Sequence, residues 1–192
     1  MKKVLLILAH PDKSSLNGKI ADIFVDNFQG SNINFKRINL GDLNFDLNLK
    51  RGYREVQGLE PDLKLAQSDI LWADYLVFVF PIWWYSFPAI LKGFIDRVFL
   101  PGFAFKYNNP NGAMPEKLLK GKKSILICTS GAPSFYYFLF GNLATKTLRG
   151  VLKFCGIKNI KTKLFGLAEK NNREDCLNQY QTSIKKIIKL IK

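Results

Sequence analysis

Leu76-Val77-Phe78-Val79-Phe80-Pro81-Ile82-Trp83-Trp84-Tyr85-Ser86-Phe87-Pro88-Ala89-Ile90-Leu91-Lys92-Gly93-Phe94-Ile95-Asp96-Arg97-Val98-Phe99 is the stretch on which the fold turns. Its first five residues form a continuous apolar run, the pattern of a strand buried on both faces, and such strands belong to parallel sheets. A turn follows between Pro81 and Pro88, and a helical pattern begins straight after it. The turn holds three adjacent aromatics, Trp83, Trp84 and Tyr85. Large flat side chains at a strand-to-helix turn serve either as a core plug or as a wall for a flat, aromatic ligand. The surrounding sequence decides between the two.

Working outward, the periodicities alternate between strand and helix. Strands are predicted at Lys3–Ala9, Ile33–Ile38, Tyr75–Phe80, Ser124–Cys128 and Ile160–Phe165. Helices are predicted at Asn17–Phe28, Asp62–Trp72, Pro88–Phe99, Leu143–Cys155 and, long and basic, Asn172–Ile191. Residues 39–58, rich in Asn, Asp, Gly and Arg, read as a surface excursion. With no repeat and no linker, residues 1–192 are expected to form one domain. The alternation implies an α/β fold, a doubly wound five-stranded parallel sheet covered on both faces in three layers.

Such sheets bind ligands beyond the carboxyl ends of their strands. Three loops fall there. His10-Pro11-Asp12-Lys13-Ser14-Ser15-Leu16-Asn17 leads into the first helix, where hydroxyl and amide side chains join the free N–H groups of a helix start in an anion site suited to phosphate. Pro81–Pro88 is the second loop. Thr129-Ser130-Gly131-Ala132-Pro133 is the third, small enough for backbone to approach a ring, with Tyr136 and Tyr137 just downstream. No G-x-G-x-x-G and no G-x-x-x-x-G-K-[ST] occurs, so neither a dinucleotide fingerprint nor a nucleotide-hydrolysing loop is supported. The sole histidine is His10. Aromatics, hydroxyls and small residues with little acid–base equipment suit a cofactor that brings its own chemistry, and a flavin fits best.

Composition narrows the remaining classes. Residues 1–100 carry 12 Lys/Arg against 11 Asp/Glu, and residues 101–192 carry 17 against 4. The excess of positive charge is spread over several predicted elements with no nucleic-acid-binding signature, which favours attraction of anionic phosphorylated ligands, or merely a lysine-rich proteome, over nucleic-acid binding. Cys128, Cys155 and Cys176 are widely spaced and lack histidine partners, so no metal site is expected, and Cys128 and Cys155 read as core thiols. No apolar run reaches the roughly 18–20 residues of a membrane span. The short apolar start after Met1-Lys2-Lys3 reads as a first strand, and a cytoplasmic location is expected.

The chain resembles the flavodoxin-like NAD(P)H:quinone oxidoreductases, which include mammalian quinone reductases and bacterial relatives of the modulator-of-drug-activity and potassium-efflux ancillary type. The resemblance rests on Leu8-Ala9-His10-Pro11 with Ser15-Leu16-Asn17, on Ala73-Asp74, and on Pro81 through Phe99. It continues through Gly102-Phe103-Ala104-Phe105, Thr129-Ser130-Gly131 and Phe154-Cys155-Gly156. It implies a flavodoxin-like sheet with strand order 2-1-3-4-5, and a flavin, FMN or alternatively FAD, reduced by NAD(P)H. Two electrons would then pass in ping-pong order to a quinone or nitroaromatic acceptor. By the same resemblance His10, Ser15, Leu16 and Asn17 meet the flavin phosphate and ribityl chain. Pro81, Ile82, Trp83, Trp84 and Tyr85 line the ring, and Thr129, Ser130, Gly131 and Ala132 border its other side. The catalytic tyrosine is Tyr137 if the loop aligns without a gap and Tyr136 with one. Where the family's animal members place a histidine, this chain has Leu143 beside Asn142. A homodimer is implied, with Pro88–Phe99 and Leu100–Tyr107 as its surface. The alternative reading is a flavin-binding ancillary subunit docked on a membrane transporter, with little turnover.

Overall fold

Three apolar runs and two mixed, half-exposed edge segments become the strands of one parallel sheet. The computed structural model describes residues 1–29, 31–55, 57–108, 114–168 and 173–191, the side chains of residues 138 and 173–176 excepted. In chain order the elements are β1 (Lys2–Leu8), α1 (Leu16–Phe28), β2 (Ile33–Asn39), α2 (Pro61–Trp72), β3 (Tyr75–Pro81) and α3 (Ala89–Val98). They continue as β4 (Phe105–Lys106), β5 (Glu116–Lys117), β6 (Lys123–Thr129), α4 (Ser134–Phe140), α5 (Leu143–Cys155), β7 (Lys158–Phe165) and α6 (Arg173–Ile188). The sheet order is β2-β1-β3-β6-β7, which is the flavodoxin-like order 2-1-3-4-5 once the small β4–β5 ribbon is set aside.

The strands alternate their side chains between two cores, as a pleat requires. Leu5, Ile7, Leu76, Phe78, Phe80, Leu126 and Cys128 point to the face covered by α2, α3 and α5. Val4, Leu6, Leu8, Val77, Val79, Ile125 and Ile127 point to the face covered by α1 and α6. β3, in the middle, is buried at all seven positions, which is why its sequence reads as an unbroken apolar run. Phe78 and Phe80 are fully buried, and each contributes about 1.5–3 kcal/mol by leaving water.

Three features depart from the sequence reading. The excursion over residues 39–58 is not confined to the surface: Leu40 is fully buried in a 3₁₀ turn (Leu40–Asp42), and Leu43 and Phe45 pack on the core. Its polar composition hides the anchors that draw it inward. It lies flush on α3, where a Cβ on Gly93 would sit 2.7 Å from the Leu47 carbonyl oxygen. Arg97, 1% exposed, pins the same segment from below. Its guanidinium donates to the Asp46 and Gly58 carbonyls at 2.7 and 2.8 Å and to both Glu60 oxygens at 3.2 and 2.8 Å.

The second departure is α4 itself, together with the two-residue strands β4 and β5, none of which the periodicity indicated. The third lies at the basic C-terminal helix, which ends at Ile188 rather than Ile191; Asn172 lies outside the described residues. Among the described residues no helix is long and apolar enough to cross a membrane. Cys128 and Cys155 are both core thiols, with burial pushing them up to about 12 and about 11; the Cys176 side chain lies outside the described residues.

Candidate functional site

The loops after β1, β3 and β6 meet at the carboxyl edge of the sheet around a groove of about 350 Å³. On one side stands the start of α1. Ser15 is extended (φ −62°, ψ 170°), and its Oγ accepts the Gly18 N–H at 3.2 Å as an N-cap. The N–H groups of Leu16 and Asn17 occupy the first turn, where a helix supplies no internal acceptors and its dipole is positive. Gly18 is required here, because a Cβ would lie 1.8 Å from the Lys13 carbonyl oxygen that crosses the helix start. Ser14, offered by the sequence as a phosphate donor, is committed elsewhere. Its hydroxyl and amide donate to Asp12 at 2.8 and 2.7 Å, and these bonds hold the Asp12 carboxyl below the usual range.

Asn17 turns inward. Its amide donates to the Thr129 hydroxyl at 3.0 Å, and both residues are buried, so this bond ties the start of α1 to the end of β6. His10 accepts the Asp12 N–H on Nδ1 at 2.9 Å. Its ring meets Trp83 edge to face at 5.3 Å.

The aromatic turn after β3 is a two-residue hairpin. Trp83 and Ser86 exchange N–H···O bonds of 2.9 Å in both directions. Between them Trp84 (φ 48°) and Tyr85 (φ 61°) occupy the left-handed region, which favours glycine and asparagine. Strain of this kind costs roughly 1–2 kcal/mol per residue and concentrates at functional sites. The turn is anchored where the Ile82 N–H donates to the Thr129 carbonyl at 2.7 Å. It directs Trp83 toward the groove and leaves Trp84 96% exposed.

The third loop is zipped to residues after β7. Ser130 donates its N–H to Phe165 O at 2.9 Å, Leu167 to Ala132 O at 3.1 Å, and Ala168 to Ser130 O at 2.9 Å. Gly166 permits this, since a Cβ there would meet Ser134 N at 2.5 Å. Ala168 lines the groove, so a fourth loop contributes that sequence reasoning had not assigned. Gly166, directly after a predicted strand, was the signal available for it.

Of the candidate residues, His10, Ser15, Leu16, Asn17, Pro81, Ile82, Trp83, Thr129, Ser130 and Gly131 share the groove, whereas Trp84, Tyr85, Ala132, Tyr136 and Tyr137 lie outside its lining. The two tyrosines separate. The Tyr136 hydroxyl sits 2.6 Å from that of Tyr85, and this hydrogen bond, followed by partial desolvation, raises the Tyr136 phenol above its ordinary value. Tyr137 instead packs its ring against the core. Asn142 is engaged as the N-cap of α5, accepting the Thr145 N–H at 3.1 Å, and Leu143 is exposed.

Among the described residues no carboxylate lines the groove. Helix-start donors at one end, an apolar and aromatic wall of Pro81, Ile82 and Trp83, and backbone close at hand on the Thr129–Gly131 side fit a phosphate-bearing flat ring. Ser15, Leu16 and Asn17 would hold the phosphate of a flavin; Pro81–Trp83 and Thr129–Gly131 would hold its ring.

The sequence model of the family described as having a flavodoxin-like fold matches residues 2–188. An uncharacterized NAD(P)H oxidoreductase of Haemophilus influenzae is 35% identical over 171 residues, covering 84% of this chain and 82% of its own. The human ribosyldihydronicotinamide dehydrogenase [quinone] is 30% identical over 184 residues, covering 82% of this chain and 78% of its own. The crystal structure of Smu.1420 from Streptococcus mutans superposes with a TM-score of 0.78 at 30% identity, covering 94% of this chain and 97% of that one. Sheet order, groove and these likenesses agree: the chain belongs to the flavodoxin-like NAD(P)H:quinone oxidoreductase family.

Proposed function

We propose that this protein is an NAD(P)H dehydrogenase (quinone), one flavodoxin-like domain over residues 1–192 that holds FMN in the groove at the carboxyl edge of its sheet. The observation that carries the proposal is the union, in one groove, of the α1 start with the Pro81–Trp83 wall. The human relative is named for a quinone, and quinones are the acceptors proposed here, with nitroaromatics of similar shape. When bound, a flavin would supply the two-electron chemistry between NAD(P)H and the acceptor, for which a ping-pong order is proposed. FMN is preferred over FAD because the donors cluster at a single helix start.

The chain's own contribution is position and one proton. Ser15 fixes the helix start so that the Leu16 and Asn17 amides are preset, and the Asn17–Thr129 bond keeps that start in register with β6. The Tyr136 hydroxyl, 2.6 Å from that of Tyr85, would be the proton source for an acceptor oxygen that gains charge, and the Tyr85 hydrogen bond, which raises the Tyr136 phenol, would position it. We assign the catalytic tyrosine to Tyr136 rather than Tyr137, because Tyr137 is spent on packing. The position of the animal members' histidine holds the exposed Leu143, and its neighbour Asn142 is committed to its cap.

A homodimer is also proposed, and a second, apolar groove of about 650 Å³ that includes Phe87, Ile95, Phe99, Phe105, Val151 and Phe154 on the α3 surface expected to pair supports it. The expected location is the cytoplasm. The test is turnover: purified protein loaded with FMN should oxidise NADPH or NADH with menadione, and extracted cofactor should have the mass of FMN. A protein that takes up flavin but does not oxidise either nucleotide overturns the enzyme reading. Sedimentation as a monomer at micromolar concentration overturns the dimer.

A further inference from the structure

A third groove, lined by basic residues, lies at the opposite edge of the sheet. It encloses about 540 Å³ and is lined by Lys117, Lys120, Lys146, Arg149, Lys153 and Lys158, with Gly150, Gly156, Ile157 and Asn159. Lys158 opens β7, whereas the flavin groove lies beyond that strand's other end; eight residues of strand separate the two by about 23 Å. The groove therefore belongs to no part of the site described above.

Three segments build it. Lys146, Arg149 and Lys153 stand at i, i+3 and i+7 on α5 and share one face of that helix. Lys117 and Lys120 reach it from the β5 turn, held there by the Leu119 N–H donating to Cys155 O at 3.1 Å. Gly156 allows the approach: it takes a left-handed conformation (φ 96°), and a Cβ there would lie 3.0 Å from the Lys117 Cβ. At the carboxyl end of α5 the Gly156, Ile157 and Leu119 N–H groups engage the carbonyls of Lys153, Leu152 and Cys155. None of the six cations has an ion pair among the described residues. Beyond residue 100, Glu116 is the one carboxylate whose side chain is described, and it is taken by Asn108 at 2.9 Å.

We propose that this groove binds a compact oligophosphate, an anion with two or more phosphate groups and no aromatic part. Like charges brought together in a concave wall repel one another until an anion enters, and the wall focuses their field on it. Six cations exceed what a single sulfate-like ion engages, and the lining has no aromatic side chain on which a base could stack. Lysine and arginine then donate charge-assisted hydrogen bonds to several phosphates at once.

The test is calorimetric titration of the flavin-loaded protein with tripolyphosphate at fixed ionic strength. The native chain should bind one tripolyphosphate per groove. A Lys146→Gln/Arg149→Gln/Lys153→Gln variant, altered only at exposed positions, should bind it at least about ten-fold more weakly with its flavin spectrum unchanged. A control that removes as much charge from α6 and its end, Lys185→Gln/Lys186→Gln/Lys189→Gln, should stay within about two-fold of the native chain. Equal weakening by both variants would show a diffuse positive field and overturn the proposal. Sulfate that competes as well as tripolyphosphate would do the same, as would failure to bind tripolyphosphate by a protein that does bind oligothymidylate or anionic phospholipid vesicles.

Discussion

Replacing Arg97 by Met keeps most of the aliphatic bulk and deletes the guanidinium that pins the excursion onto α3. The buried head group makes four hydrogen bonds, two to the Glu60 carboxylate and one each to the Asp46 and Gly58 carbonyls. Removing one member of a buried pair costs about 3–5 kcal/mol, because the remaining groups stay desolvated. The Glu60 side chain is 28% exposed and can recover some water, which places the expected loss near the lower bound, about 3 kcal/mol. For a chain of this size that loss corresponds to a fall in melting temperature of roughly 6–12 °C. The pH dependence has a definite sign. Burial tends to raise the Glu60 carboxyl, but hydrogen bonds from the Asp46 amide, its own amide and Arg97 outweigh burial and hold it low. Its contribution is therefore present above the unfolded carboxyl's pKa and is lost as pH falls through the folded one. In the variant the same carboxyl has lost its counter-charge, and protonation relieves it. Urea unfolding of both proteins should show the gap at its widest near pH 7 and narrowing as the solution is acidified. A gap below about 1 kcal/mol, or one that does not change with pH, would refute the assignment of Arg97 as the excursion's anchor.

Three further outcomes can be checked. Thr129→Val leaves the buried Asn17 amide without its partner and should cost about 1–3 kcal/mol in urea unfolding while weakening flavin uptake, measured by fluorescence quenching. Trp84→Asn puts a residue tolerant of left-handed backbone at φ 48° and removes a side chain that is 96% exposed; chemical denaturation should show a gain of roughly 1 kcal/mol. In a Cys176→Ser background, Cys128 and Cys155, pushed up to about 12 and about 11, should ignore a thiol reagent at pH 8 in the folded protein and react on unfolding.

The sheet was legible because burial on both faces forces continuous apolar runs, and β1, β3 and β6 carry them with little interruption. The groove was legible in outline for a related reason: parallel topology places the loops after those strands at one edge, whatever their residues. What escaped was fixed by single contacts rather than by pattern. Leu40 and Phe45 are two apolar residues in a polar segment, and nothing in the neighbourhood of Arg97 in the sequence announces four acceptors folding around it. α4, Ser-Phe-Tyr-Tyr-Phe-Leu-Phe, has no polar face from which a helical period could be read. The strained hairpin was hidden because its two central residues are a tryptophan and a tyrosine, where turn chemistry calls for glycine or asparagine. The separation of Tyr136 from Tyr137 needed coordinates, since adjacent residues on a helix start differ by one step of rotation and the sequence offers both equally.

The most direct test of the groove as a flavin site is Ser15→Asp. Aspartate caps a helix as well as serine does, so α1 should form as before, yet it sets a negative charge where the Leu16 and Asn17 amides would meet a phosphate. FMN and riboflavin should be titrated into the apoprotein side by side, followed by quenching of flavin fluorescence. Ser15→Asp should weaken FMN binding by about ten-fold or more and leave riboflavin, which has no phosphate, within about two-fold of the native chain. FMN binding that is unchanged in the variant would contradict the account, because the phosphate would then lie somewhere other than the start of α1.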